Sequence, residues 1–249
     1  MFPIRDHNPS NKTPYVTYAL IAVNVLVYLA TLPAMQDLAS QRNLMIEWSL
    51  IPARISQGDG YYTLISTMFM HGGFLHLAGN MLFLWIFGDN LEEDFGHIGF
   101  LGFYLASGLG AGLVHVLSAP YSMVPTVGAS GAIAGVMGGY LLMYPKAKVD
   151  ILFIFVVIFK IIPVPAWLML GIWFALQLFN GVGADPDMGG VAYWAHAGGF
   201  IVGFLLVIPL FLRRGGTSYW SRTHGHPDHP AAKYKLERSH IPTVSRRKR

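Results

Sequence analysis

The feature that most constrains this chain is a series of long stretches in which apolar residues follow one another with almost no charge. A helix needs about 20 such residues to cross a bilayer. Because backbone polar groups in lipid must be satisfied within the segment, each stretch predicts a helix, and none shows the polar/apolar alternation of a barrel strand. Six stretches stand out: residues 15–32, 74–87, 95–117, 127–144, 151–179 and 191–212.

Composition supports the same class of protein. Of 249 residues, 53% are hydrophobic and only 12% are charged, whereas soluble domains carry about 25% charged residues. Cysteine is absent, which excludes disulfides, a thiolate nucleophile and cysteine metal sites. We therefore predict an all-α fold, a polytopic membrane helical bundle with a six-helix core.

The fifth stretch is too long for one span and contains Lys160, Pro163 and Pro165. The prolines favour a span at about residues 165–179. Residues 151–162 then lie at the interface, re-enter the membrane or form a seventh short helix, and the sequence leaves these alternatives open.

Lys and Arg near the ends of spans predict the orientation of the chain. A cytoplasmic N-terminus with six spans puts three basic pairs in the cytoplasm: Arg5 and Lys12, Lys146 and Lys148, Arg213 and Arg214. Residues 1–14 are then a polar cytoplasmic segment, 15–212 the membrane domain and 213–249 a basic, disordered cytoplasmic tail. The first apolar run lacks a small-residue cleavage site and is expected to be a retained helix. The acidic stretch 89–94, ahead of the third span, is expected to be a solvated turn with N-terminal capping.

Among the polar residues inside the predicted spans, where such groups are costly and mark functional sites by default, four are candidates for function. They are His76, Asn80, Ser130 and His196. With the orientation above, the second, fourth and sixth spans run in the same direction, so all four residues lie at similar shallow depth on the outer side.

Each of the four also has a structural interpretation. His76 and Asn80 share one helix face and form either an interhelical pair or two donors aimed at a developing negative charge. Ser130 lies among small residues that let helices approach closely, and His196 could be a structural hydrogen-bonding residue. Together, however, they supply the nucleophile, base and donors that acyl transfer requires.

Small residues at four-residue spacing suggest which helices touch. They form one ridge in the fourth span and another in the sixth, and contact between the ridges would bring Ser130 and His196 toward each other. The ridges are Gly131, Gly135 and Gly139, and Ala195, Gly199 and Gly203.

Three segments make the chain resemble the rhomboid family of intramembrane proteases. Residues 71–80 are similar to the family's second-helix segment with its His-x-x-x-Asn pair. Gly128-Ala129-Ser130-Gly131 resembles the Gly-x-Ser-Gly nucleophile motif. Residues 195–203 resemble Ala-His-x-x-Gly-x-x-x-Gly. The likeness covers about residues 15–212.

The resemblance implies a rhomboid-like core and a serine endopeptidase with a Ser-His dyad, Ser130 as nucleophile and His196 as general base. It implies an oxyanion site made by the Ser130 backbone N–H, His76 and Asn80. It requires no metal and no organic cofactor. The implied substrates are single-span membrane proteins cut in or near their transmembrane segments.

Other expectations concern setting and partners. The chain is expected to contact the lipid bilayer, in a bacterial inner membrane because no transit sequence is evident. No aromatic platform accompanies its basic residues, which argues against nucleic-acid binding. Its oligomeric state is left open. The alternatives are a catalytically silent relative that binds membrane clients, and a small transporter or channel.

The sequence departs from the family pattern in two places. Tyr62 and Thr63 stand where members often carry Trp-Arg in the outer loop. Ala134 stands where some members carry a tyrosine that stacks on the base, so another group must orient His196. The candidates are other aromatic residues, such as Tyr193 or Trp194, and the sequence does not choose among them.

Overall fold

The apolar stretches become helices joined by shorter elements in a computed structural model that describes residues 2–155, 158–185 and 187–232. Two 3-10 turns, Pro33–Gln36 and Thr67–Phe69, lie among them. The described elements, in chain order, are β1 (Phe2–Asp6), α1 (Tyr15–Thr31), α2 (Leu38–Trp48), α3 (Pro52–Ser56), α4 (Thr63–Ser66), α5 (Phe74–Phe95), α6 (His97–Ser118), α7 (Ser130–Met143), β2 (Lys148–Phe155), β3 (Ile158–Pro165), α8 (Ala166–Gly183), α9 (Tyr193–Arg213) and α10 (Thr217–Thr223).

Three of the described helices, α6, α8 and α9, are long and apolar enough to cross a membrane. Helix α5 passes the same test together with Thr63–Phe69, from which it is bent by 94°. Helices α1 and α7 are apolar but shorter, with 17 and 14 residues. These six helices match the six apolar stretches, which confirms the predicted polytopic helical bundle.

Helix α5 runs past the predicted end of its stretch and includes the acidic residues 89–94. Glu92 is buried there, and its carboxylate accepts hydrogen bonds at 2.8 Å from the backbone N–H groups of Val16 and Thr17 and from the Thr17 hydroxyl. The first N–H groups of a helix lack partners within it and favour a negative charge. The expectation of a solvated turn is therefore wrong, because this stretch caps the start of α1.

A small sheet, absent from the sequence prediction, follows α7. Strands β2 and β3 pair antiparallel, with Val149 opposite Val164, and β1 adds to the other edge of β2. Residues 151–155 and 158–162 are therefore strands, and the alternative of a seventh short helix is wrong. Apolar, β-branched and aromatic residues favour a strand here, and Pro163 is tolerated because β3 is an edge strand.

The N-terminal segment is fixed to the bundle through β1 and is not a separate polar extension. Asp6 is buried, and its Oδ2 accepts hydrogen bonds of 3.0 Å from Asn90 Nδ2 and from the Tyr140 hydroxyl. Arg5 Nε donates to Asp150 Oδ2 at 2.8 Å. These contacts join β1 to α5, α7 and β2.

The start of the predicted tail is also ordered. In α10, Tyr219 is buried and Trp220 Nε1 donates to the Leu142 carbonyl oxygen at 2.9 Å. Arg214 forms an ion pair with Asp94. The prediction of disorder is therefore wrong for residues 217–223, where aromatic anchors dock on α7. Residues 233–249 lie outside the described residues.

The buried carboxyl of Asp6 makes stability depend on pH. Burial, and then the charge of Asp89, raises the pKa of Asp6 from 3.8 to about 7. Between these values the unfolded chain releases a proton that the folded chain keeps, so this group lowers stability as pH rises from about 4 to 7. Asp6→Asn keeps an acceptor oxygen without the titration. The free energy of unfolding of this variant, relative to that of wild type, should increase by on the order of a few kcal/mol as pH rises across that range.

The measurement is thermal unfolding in detergent at pH 4 to 8. Asp187→Asn, at an exposed aspartate before α9, is the matched control and should follow wild type at every pH. A stability difference between Asp6→Asn and wild type that is the same at pH 4 and pH 8 would contradict the assignment.

Candidate active site

The turn into α7 places Ser130 beside His76. Gly128 has a φ of +134°, which L side chains rarely adopt, and its N–H donates to the Thr67 carbonyl oxygen at 3.0 Å. A Cβ at position 128 would lie 2.8 Å from His76 Nε2 and 3.4 Å from Ser130 Oγ. Glycine is therefore required both for the backbone conformation and for the space between these two side chains.

Ser130 and His196 are in direct contact. Ser130 is the first residue of α7, and His196 lies in the first turn of α9. Ser130 Oγ and His196 Nε2 are 2.7 Å apart, a hydrogen-bond distance. Sequence reasoning predicted this pair, and the structure brings the two side chains together.

The contact depends on glycines where α7 and α9 cross. A Cβ on Gly199 would lie 2.0 Å from the Gly131 carbonyl oxygen, and one on Gly203 would lie 2.1 Å from the Gly135 carbonyl oxygen. The two backbones therefore touch without intervening side chains. The predicted contact between the small-residue ridges is confirmed at these positions.

His196 is flanked on its other side by α8. Its Nδ1 lies 2.9 Å from Gln177 Oε1, and its ring centroid lies 5.8 Å from that of Trp173 at 31°. The sequence suggested an aromatic residue such as Tyr193 or Trp194. The aromatic residue beside the ring is Trp173, whereas Trp194 Nε1 donates to the Gly181 carbonyl oxygen at 3.1 Å. Gln177 carried a usable signal, since it is the lone polar residue in the predicted span 165–179.

His76 and Asn80, one turn apart on α5, line the same cavity as Ser130. The ring of His71 packs edge-on against that of His76, with centroids 5.1 Å apart. Asn80 is buried, and its Nδ2 has no hydrogen-bond partner among the described residues. A buried donor without an acceptor is costly and marks a place where an acceptor is expected to bind.

One cavity of about 530 Å³ is lined by the side chains of Ser130, His196, His76 and Asn80. Its walls also include Trp173 and residues of the loops before α7 and α9. This size is typical of ligand sites, which are largely apolar with a few converging polar groups. Within the described ranges, no group of three or more His, Cys, Asp or Glu side chains could hold a metal ion.

A hydroxyl within hydrogen-bond distance of an imidazole, in a cavity of a membrane helical bundle, is an arrangement suited to nucleophilic acyl transfer. Residues 58–213, well over half of the chain, match the family model described as Rhomboid domain. The chain belongs to the rhomboid family.

Several curated relatives agree with this assignment. Rhomboid protein 1, mitochondrial, of Saccharomyces cerevisiae is 32% identical over 76% of this chain and 51% of its own length. RHOMBOID-like protein 4 of Arabidopsis thaliana is 32% identical over 77% of this chain and 44% of its length. Rhomboid protease GluP of Bacillus subtilis is 30% identical over 83% of this chain and 37% of its own length. The chain thus spans about half the length of these relatives, or less.

The glycine contact between α7 and α9 can be tested with one methyl group. Gly199→Ala should force the helices apart at Gly131, destabilise the protein by about 1–3 kcal/mol and lengthen the distance from Ser130 to His196. Gly102→Ala in α6 is the matched control, because a Cβ there meets nothing within 4 Å. It should be neutral or stabilising by up to about 1 kcal/mol.

Thermal unfolding in detergent measures both variants, and labelling by a fluorophosphonate probe reports the state of Ser130. The glycine requirement is refuted if Gly199→Ala unfolds at the wild-type temperature and is labelled at the wild-type rate.

Proposed function

We propose that this protein is an intramembrane serine endopeptidase that hydrolyses peptide bonds in or near the transmembrane segments of membrane-protein substrates. The observation that carries the proposal is the 2.7 Å contact between Ser130 Oγ and His196 Nε2 inside the cavity. A serine hydroxyl is a poor nucleophile unless a neutral imidazole within hydrogen-bond reach accepts its proton.

The reaction would proceed in two acyl-transfer steps. Ser130 Oγ attacks the scissile carbonyl carbon while its proton passes to His196 Nε2. The tetrahedral intermediate collapses, the C–N bond breaks, and the leaving amine takes the proton from His196. Water then attacks the acyl ester with His196 again as base, which releases the carboxylate product and restores the Ser130 hydroxyl.

The oxyanion of each intermediate needs donors that are already in position. Three groups are suited to this role. Ser130 begins α7, where backbone N–H groups are unpaired within the helix. Asn80 Nδ2 is a buried donor with no partner among the described residues, and His76 Nε2 lies next to Gly128, which lines the same cavity.

Substrate, orientation and membrane are part of the proposal. Single-span membrane proteins are the proposed substrates, because a segment entering the cavity must expose its amides and so must unwind locally. The basic residues that flank the spans support cytoplasmic termini. A bacterial inner membrane stays a prediction, since the relatives include Bacillus subtilis, mitochondrial and chloroplastic proteins.

Reaction with a fluorophosphonate probe tests the dyad. Detergent-purified wild-type protein should be labelled, whereas Ser130→Ala and His196→Ala should not, because the first lacks the nucleophile and the second lacks its base. Ser221→Ala and His224→Ala, at exposed positions in and after α10, are matched controls that should be labelled like wild type. Folded wild-type protein that stays unlabelled in both detergent and lipid would favour a silent relative that binds membrane clients.

The oxyanion role of Asn80 predicts a kinetic signature. Asn80→Ala should lower kcat for a single-span substrate by about 10²-fold, with little change in KM, because the lost donor acts mainly on the transition state. Asn43→Ala, at an exposed position on α2, is the control. An Asn80→Ala variant with wild-type kcat would rule out this role.

A further inference from the structure

The tautomer of His196 decides whether it can act as a base toward Ser130. A neutral imidazole carries hydrogen on one ring nitrogen only, and the other nitrogen is the acceptor. Nε2 faces Ser130 Oγ at 2.7 Å. It can take the hydroxyl proton only when the ring hydrogen is on Nδ1.

Gln177 is the group that meets Nδ1. Its Oε1 lies 2.9 Å from His196 Nδ1, while its Nε2 donates to the backbone carbonyl oxygen of Trp173 at 3.3 Å. The opposite orientation of the amide would set its oxygen against that carbonyl oxygen, with no hydrogen between them. The amide oxygen therefore faces the imidazole, and since it can only accept, Nδ1 must carry the hydrogen.

Burial makes this arrangement specific. Gln177 is 8% exposed, and an unpaired polar group there would be costly. The Trp173 ring lies against the imidazole from the same helix, one turn earlier. Among the described residues that line the cavity, Trp173 is present and Gln177 is not, so Gln177 reaches the reacting atoms only through His196.

We infer that Gln177 is a positioning residue that holds His196 in the Nδ1–H tautomer, so that Nε2 accepts the proton of Ser130. The inference rests on the proposed function and extends it to a third side chain. When His196 has taken the proton, both of its nitrogens are donors, and Gln177 Oε1 continues to accept from Nδ1. An uncharged amide thus supports both protonation states without placing a carboxylate inside the membrane, where a charge is expensive.

Substitutions at position 177 distinguish a role as hydrogen-bond acceptor from a role in packing alone. Gln177→Met and Gln177→Leu remove the acceptor and keep much of the volume, whereas Gln177→Glu keeps an acceptor oxygen. Gln57→Met, at an exposed glutamine directly after α3, is the matched control. The full chain is purified in detergent, and fluorophosphonate labelling is followed as a function of probe concentration.

We expect the maximal labelling rate to fall about 10- to 100-fold in Gln177→Met and Gln177→Leu, with the half-saturating probe concentration unchanged. Gln177→Glu should stay within about fivefold of wild type, and Gln57→Met should equal it. Thermal unfolding identifies which variants are folded. Because Gln177→Met and Gln177→Leu differ in shape but both lack the acceptor, they test the loss of the hydrogen bond twice.

Two results would overturn the inference. One is a wild-type labelling rate in a folded variant without the acceptor. The other is an equal fall in Gln177→Glu and Gln177→Met, which would assign position 177 a packing role. Both leave wild-type labelling, and with it the proposed function, intact. If wild type itself is not labelled, the proposed function fails first.

Discussion

The direct backbone contact between α7 and α9 is the constraint on which the site depends. Lipid tails give helices no hydrophobic reason to associate, so close packing must hold them together. Gly131 and Gly199 let the two backbones touch, and the neighbouring Ser130 and His196 are thereby brought within hydrogen-bond distance. Any bulkier residue at the crossing would separate the two groups whose chemistry requires contact.

The sequence predicted this part of the molecule well because its signals are periodic or chemically unusual. Glycines at four-residue spacing marked one face of α7. A histidine and a serine in apolar surroundings pointed to a site when taken together, although each alone also had a structural interpretation. Gln177 was equally unusual, but its stretch was too long to assign a face. Its partner therefore became known only when α8 was positioned against α9.

The ends of the bundle away from the site were predicted poorly, for a different reason. Residues 151–159 are continuously apolar, so their hydrophobicity gave no period that distinguishes a strand from a membrane segment. The acidic stretch near Glu92 seemed to need water, yet its carboxylate is satisfied by the N–H groups that begin α1. Both features depend on partners distant in sequence, which local patterns do not report.

The three-stranded sheet also implies an order of assembly. Arg5 and Asp150, which the sheet brings together, are 145 residues apart in the chain. During synthesis β1 therefore appears long before β2 exists, and closing so long a loop carries an entropic cost that is recovered only when the strands pair. Helices α1, α5, α6 and α7 must be made before this can happen. The N-terminal strand therefore pairs with β2 only after the helices that carry Ser130, His76 and Asn80 have been made.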